Sequence, residues 1–216
     1  MIGGEVGSTM TRLQWPGSQS VVMRHWRVGS LVAVLATLVG SNAGCGQPPR
    51  NWTPADRLAG LRVGYWVQLE GMARGAGPVR CSEARPLTGD FLDDDCSLKG
   101  LVQAVYHANQ EFSISGCRIR VTPNTAYDTR NGTIRGVVDM RPGMVVDVEG
   151  TLHQDGHLLA AEVDDESDEM ARDPRVRDEI EVTGKIERID RRRNVVTVLG
   201  IEFQIDARTR LLSAIH

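Results

Sequence analysis

The sequence predicts an all-β chain: two small five-stranded barrels, one contiguous and one assembled from N- and C-terminal half-repeats, behind an N-terminal signal helix. Three observations carry this. The phrase Gly64–Gly71, GYWVQLEG, recurs as Gly143–Gly150, GMVVDVEG. A second stretch, Gly100–Thr125, aligns without gaps to Gly184–Thr209 at an offset of 84 residues. Within both repeats apolar and polar residues alternate with the period of a half-buried strand.

The first 45 residues stand apart from the repeats. Arg24, His25 and Arg27 give a basic start, the apolar run Val28–Gly40 follows, and Ser41–Cys45 is small and polar. That order describes a secretory signal. The run is shorter than the roughly 20 apolar residues of a membrane-spanning helix. Ala43-Gly44-Cys45 resembles a bacterial lipobox, in which the chain is cut before a cysteine that takes lipid, although Asn42 stands where leucine is usual. No Arg-Arg pair precedes the run, so export by the general secretion route is expected. Met23 directly before Arg24 is an alternative start. An uncleaved anchor or a plain secreted protein are the other readings of the same residues.

Residues 46–60, with Pro48, Pro49 and Pro54, read as a tether. The first strand phrase is expected to turn Tyr65, Val67 and Leu69 inward and Trp66, Gln68 and Glu70 outward. Its second copy turns Met144, Val146 and Val148 inward and Val145, Asp147 and Glu149 outward. The correspondence runs on through Gly77 and Gly156, Val79 and Leu158, and Glu83 and Glu162, so each copy is a strand, a Gly-containing turn and a strand. The other repeat is a three-strand unit, matching Val102 to Ile186, Val105 to Ile189, Phe112 to Val196, Ile119 to Phe203 and Thr125 to Thr209. Val102 and Val105 are three apart, which calls for a bulge if both face inward. Cys117, in phase with Ile119 and Val121, reads as a small buried hydrophobe.

Residues 98–163 thus hold a three-strand front and a two-strand back. A helical turn near Val137–Met140 joins them, a composition suited to a five-stranded Greek-key barrel of OB type. Residues 61–87 are a back without a front, and 181–212 a front without a back. Neither could bury a core alone. They pair with each other, or with a second subunit or a missing domain. The linker at 164–180 lies in an acidic stretch: from Glu162 to Glu181 ten of 20 residues are Asp or Glu. A solvated connection is expected there, since the spacing does not match a calcium loop.

The turn glycines and inward aliphatics have a further reading. Gly100-x-Val102, Phe112-x-Ile114-x-Gly116, Thr125, Gly143-x-Val145-Val146-x-Val148-x-Gly150, and the stretch from Gly156-x-Leu158 to Glu162-Val163 resemble an uncharacterised domain-of-unknown-function family. Its members are OB-like modules of bacterial exported proteins and lipoproteins. The resemblance covers residues 61–212 as one full and two half copies. It implies a fold and brings no activity or catalytic residues.

Candidate chemistry is sparse. Cys81 and Cys96 could close a short disulfide loop in an oxidising compartment, or remain two thiols. His153 and His157 flank a hairpin turn and are candidate metal ligands, without a third partner in the sequence. Trp66 is the candidate protein contact. Arg191–Arg193 and Asp93–Asp95 read as solvated turns, though the Arg run could touch lipid headgroups. Residues 46–216 carry 22 basic against 27 acidic side chains, a net charge of −5, which argues against nucleic-acid binding. No nucleophile elbow, phosphate loop or metal-ligand motif is present. The expectation is a non-enzymatic envelope lipoprotein, periplasm-facing or at the cell surface and needing no cofactor. The lipid on Cys45 would hold it to the membrane, and it would serve as scaffold or accessory subunit to a protein partner. The alternative is a small-ligand or metal-binding module.

Overall fold

The computed structural model describes residues 53, 57–75, 77–88, 95–128 and 134–213. The expected signal helix, Cys45 and Asp93–Asp94 lie outside these residues. Among the described residues no helix is long and apolar enough to cross a membrane.

The described residues are mostly strand. In order these are β1 (Trp66–Met72), β2 (Val79–Pro86), β3 (Asp95–Tyr106), β4 (Glu111–Ile114), β5 (Cys117–Arg120), β6 (Ala126–Asp128), β7 (Val145–Leu152) and β8 (His157–Asp165). A short helix α1 (Ser167–Arg172) follows, then β9 (Glu179–Lys185), β10 (Arg188–Asp190), β11 (Val195–Val198), β12 (Ile201–Gln204) and β13 (Arg210–Leu211).

The middle of the chain closes a five-strand barrel. β3 pairs with β4, β4 with β5, β5 with β8 in parallel, β8 with β7, and β7 with the first half of β3. One strand can serve both β4 and β7 because it bends, and the ladder shifts register between Val102 and Ala104 as the spacing of Val102 and Val105 requires. Leu98, Val102, Phe112, Ile114, Ile119, Val148 and Leu158 are fully buried. A 3-10 turn at Val137–Asp139 brings buried Val137 and Met140 to the same core cluster.

The two ends of the folded region meet. β1 runs antiparallel to β9 from Trp66↔Lys185 to Met72↔Glu179. β2 lies parallel to β12 and β13. These pairings repeat those of the barrel residue for residue. Gly71↔Ile180 stands where Gly150↔Cys96 does, and Phe203↔Val79 where Ile119↔Leu158 does. Thr125 Oγ1 donates to the Ala160 carbonyl at 2.8 Å, and Thr209 Oγ1 donates to the Cys81 carbonyl at 2.9 Å. β9 also pairs with β3 through Ser97–Lys99, joining the two sets of strands into one sheet.

The repeated glycines have a steric cause. Each back hairpin carries a bulge at the same place, Glu70/Gly71 and Glu149/Gly150. A methyl on Gly71 would stand 2.6 Å from the Arg80 carbonyl oxygen, and one on Gly150 2.1 Å from that of Leu159.

Several expectations need correction. Tyr65 is 57% exposed, because the positive φ of Gly64 makes a turn and the strand starts only at Trp66. Val145, expected outward, is fully buried, and the Glu166 N–H extends the β7–β8 ladder by donating to its carbonyl before α1 packs against β7. Leu58, within the expected tether, is fully buried, and the Arg57 guanidinium donates to the Ala207 and Thr209 carbonyls. The acidic stretch is folded too, as α1 and a 3-10 turn at Pro174–Asp178 with Val176 buried.

Replacing Gly150 or Gly71 by Ala forces backbone apart at a barrel bulge and should cost about 1–3 kcal/mol each. Thermal melts should show a loss of roughly 2–4 °C per kcal/mol. Gly156→Ala offers a comparison, since its added methyl meets nothing within 4 Å and the cost there is that of its positive φ.

Candidate functional site

Two groups of polar side chains stand out on the strand framework. The first lies on the outward face of the barrel, across β3, β4, β5 and β8. Register places Tyr106 opposite Glu111, Glu111 opposite Arg120, and Arg118 opposite His157. Glu111 is only 3% exposed, the most buried carboxylate among the described residues. Its Oε1 accepts from Arg120 Nε at 3.0 Å and Nη2 at 2.9 Å. Its Oε2 lies 3.5 Å from Arg118 Nη2. The Arg118 guanidinium stacks over the Tyr106 ring, 4.5 Å from its centroid. His157 sits between Glu111 and Asp155, with Nε2 3.5 Å from the former and Nδ1 3.2 Å from the latter. Asp155 also reaches Arg120 at 3.4 Å. A buried carboxylate needs such company, because charge taken out of water is costly unless paired.

The second group is a row across six strands. Glu83 on β2 stands opposite Glu70 on β1, Glu70 opposite Glu181 on β9, Glu181 opposite Lys99 on β3, Lys99 opposite Asp147 on β7, and Asp147 opposite Asp164 on β8. Lys99 thus stands in one row with five carboxylates. Lys99 bonds Glu169 of α1, and together with Glu166 and Asp147 this holds its pKa up against the opposing effect of burial. Gln68 donates to Glu181, and Arg210 closes the far end on Glu83 at 3.2 Å. Burial first, then Glu181, with lesser contributions from Glu149 and Asp164 and opposed by Lys99, pushes Asp147 up to about 7. Glu70 and Glu179 are raised as well, burial again being the largest cause.

A family model, domain of unknown function (DUF5666), matches residues 99–164 and 183–215. These two stretches belong to the DUF5666 family. No match was found among curated proteins or among solved structures. The first DUF5666 stretch runs from within β3 to the end of β8, and the second covers the end of β9 through β13. β1 and β2, which pair with the second stretch, fall outside both.

The residues singled out from sequence are scattered relative to these groups. Trp66 is half-buried, packed on the core, with Lys185 Nζ 5.3 Å from its ring centre. It is therefore not the exposed ring that alternation suggested. His153 and His157, both within the first DUF5666 stretch, pair through their backbones but face different surroundings. His157 turns to Glu111 and Asp155, whereas His153 lines a shallow cleft of about 400 Å³ with Glu187, Leu199 and Gly200. No group of three or more metal-ligating side chains occurs among the described residues. The Cys81–Cys96 disulfide is not formed. Cys81 lies opposite Gly71 in the β1–β2 ladder with its Sγ on the Glu83 carbonyl at 3.0 Å, while Cys96 lies opposite Gly150 in the β3–β7 ladder. Burial, followed by Asp206 and Glu70, pushes Cys81 up to about 12. Burial, followed by Glu187 and Cys96, does the same for Cys117, which occupies the inward apolar position expected of it. Neither thiol forms a nucleophilic thiolate near neutral pH.

Glu111 was missed by pattern reading because it begins a strand next to a turn and looks like surface. The repeat held the signal. An offset of 84 sets Glu111 against Val195, Arg118 against Glu202, Arg120 against Gln204 and Tyr106 against Asp190.

The acidic row makes a pH prediction. Asp147 titrates higher in the fold, at about 7, than its ordinary 3.8, so the folded state binds its proton more tightly. The associated stability is fully present below about 4 and is lost as pH rises through about 7. Melting temperature should fall from pH 5 to pH 8, and Asp147→Asn should raise it at pH 8 and flatten that slope.

Proposed function

We propose that this chain is a non-catalytic, lipid-anchored cell-envelope protein, acting as a scaffold or accessory subunit through the outer surfaces of two OB-like Greek-key barrels. The second barrel is formed by β1 and β2 with β9 to β12, the N- and C-terminal half-repeats docked beside the intact one. The observation that carries the reading is the residue-for-residue repetition of ladders, from Gly71↔Ile180 to Phe203↔Val79. It supports a rigid duplicated body whose strands are consumed internally, leaving side-chain faces to make contacts. The basic, apolar and small-residue order ending at Cys45 supports export by the general secretion route and lipid attachment. Two charged faces, the acidic row and the Glu111 network, are the surfaces such a body would offer a protein partner. The Glu111 network also favours a second reading, a small-ligand module. Its paired charges are more elaborate than a solvated strand face requires.

Cell fractionation tests the anchor. The native chain should sediment with membranes and run in detergent as part of a larger assembly. Cys45→Ser should move it to the soluble fraction at the same folded stability. A native chain that is soluble and monomeric would defeat the reading.

A further inference from the structure

We propose that the outward face of the central barrel at Tyr106, Arg118, Arg120 and His157 binds an oxyanion, a phosphoryl or carboxylate group on a ligand, with Arg118 as the residue that meets it. This goes beyond the scaffold reading and does not depend on it. The molecule contains its own comparison. The corresponding face of the repeated strands carries Asp190, Glu202, Gln204 and Val195 at the places of Tyr106, Arg118, Arg120 and Glu111. The same ladders form there with a buried valine in place of the buried carboxylate. Folding therefore does not require Glu111 and its cations. A charge hidden at a position that an aliphatic side chain serves equally well points to a task outside the fold.

The geometry says what the task is. Arg120 spends Nε and Nη2 on Glu111 Oε1 and directs Nη1 to Asp155. His157 is enclosed between the same two carboxylates and is 18% exposed. Arg118 differs in its contact with Glu111, a single longer one at 3.5 Å from Oε2, while its side chain, 44% exposed, is about as open to solvent as that of Arg120 at 40%. Its guanidinium carbon lies over the Tyr106 ring, 4.5 Å from the centroid, and Tyr106 is itself 38% exposed, so the ring restrains the guanidinium before any ligand arrives. A planar guanidinium held this way, with donors turned to solvent, suits a bidentate oxyanion. Glu111 is then a positioning residue, which sets Arg118 and Arg120 without touching the ligand.

The test titrates the detergent-solubilised full chain with pyrophosphate and, separately, with glucuronate, following heat and the Arg Nε–Hε resonances. At least one probe should bind and shift the Arg118 resonance while that of Arg193, which pairs with Glu202 at 3.0 Å on the corresponding face, stays still. Whichever binds more tightly identifies the phosphoryl or the carboxylate source. Arg118→Gln should weaken binding by about tenfold or more, and Arg118→Lys nearly as much, because the fork is lost. Arg193→Gln should leave it unchanged. The proposal is overturned if neither probe binds at about 10 mM, or if binding is the same without Arg118. The resonance shift in the native chain decides the matter even where a variant fails to fold.

Discussion

β9 has a strand on each side, and the folded region depends on that. Its residues Glu179–Lys185 pair with β1 on one edge, and Glu181–Thr183 pair with β3 on the other. A backbone amide or carbonyl left unpaired in a buried strand costs as much as a lost hydrogen bond, so two half-repeats with open edges could not persist separately. The chain satisfies both by bringing strands more than 100 positions apart into one ladder. The buried Thr209 hydroxyl then adds a side-chain bond, to Cys81, at the place where Thr125 makes it to Ala160.

Duplication gives the protein an internal record of which features belong to the fold. Glycines at both bulges, left-handed turn residues at Gln110 and Asn194, and buried Thr125 and Thr209 occur in both copies and have steric or hydrogen-bonding causes. Features present in one copy only are of another kind. The Glu111 network is the largest of these, and Lys99 among five carboxylates is another. Each places charge where solvent is partly excluded, which destabilises the fold unless partners offset it. At Asp147 burial and then Glu181 outweigh Lys99, so its carboxyl is held above the usual range.

The barrel was legible in the sequence because its determinants are local. Turn glycines, alternating aliphatics and a fixed offset survive without any knowledge of tertiary contacts. What escaped depended on neighbours remote in sequence. Val145 was expected to follow the alternation outward and is fully buried, on a strand against which α1 packs. Trp66 follows it too and is covered by Lys185, its partner on β9. Cys81 and Cys96 are close along the chain and belong to different ladders, so a short loop was no guide to pairing. The acidic stretch after β8 looked like a linker by composition, yet it folds into α1 and a turn, with Glu169 bonded to Lys99 and Val176 buried.

The most direct measurement of the central claim is the set of interstrand nuclear Overhauser effects between β1 and β9 in the full chain. Contacts are expected between Gln68 and Thr183 and between Glu70 and Glu181, with Leu69 and Val182 amides exchanging through one common opening. Strong effects within β1–β2 and within β9–β12, with none across Leu69 and Val182 and faster exchange in β1, would contradict it.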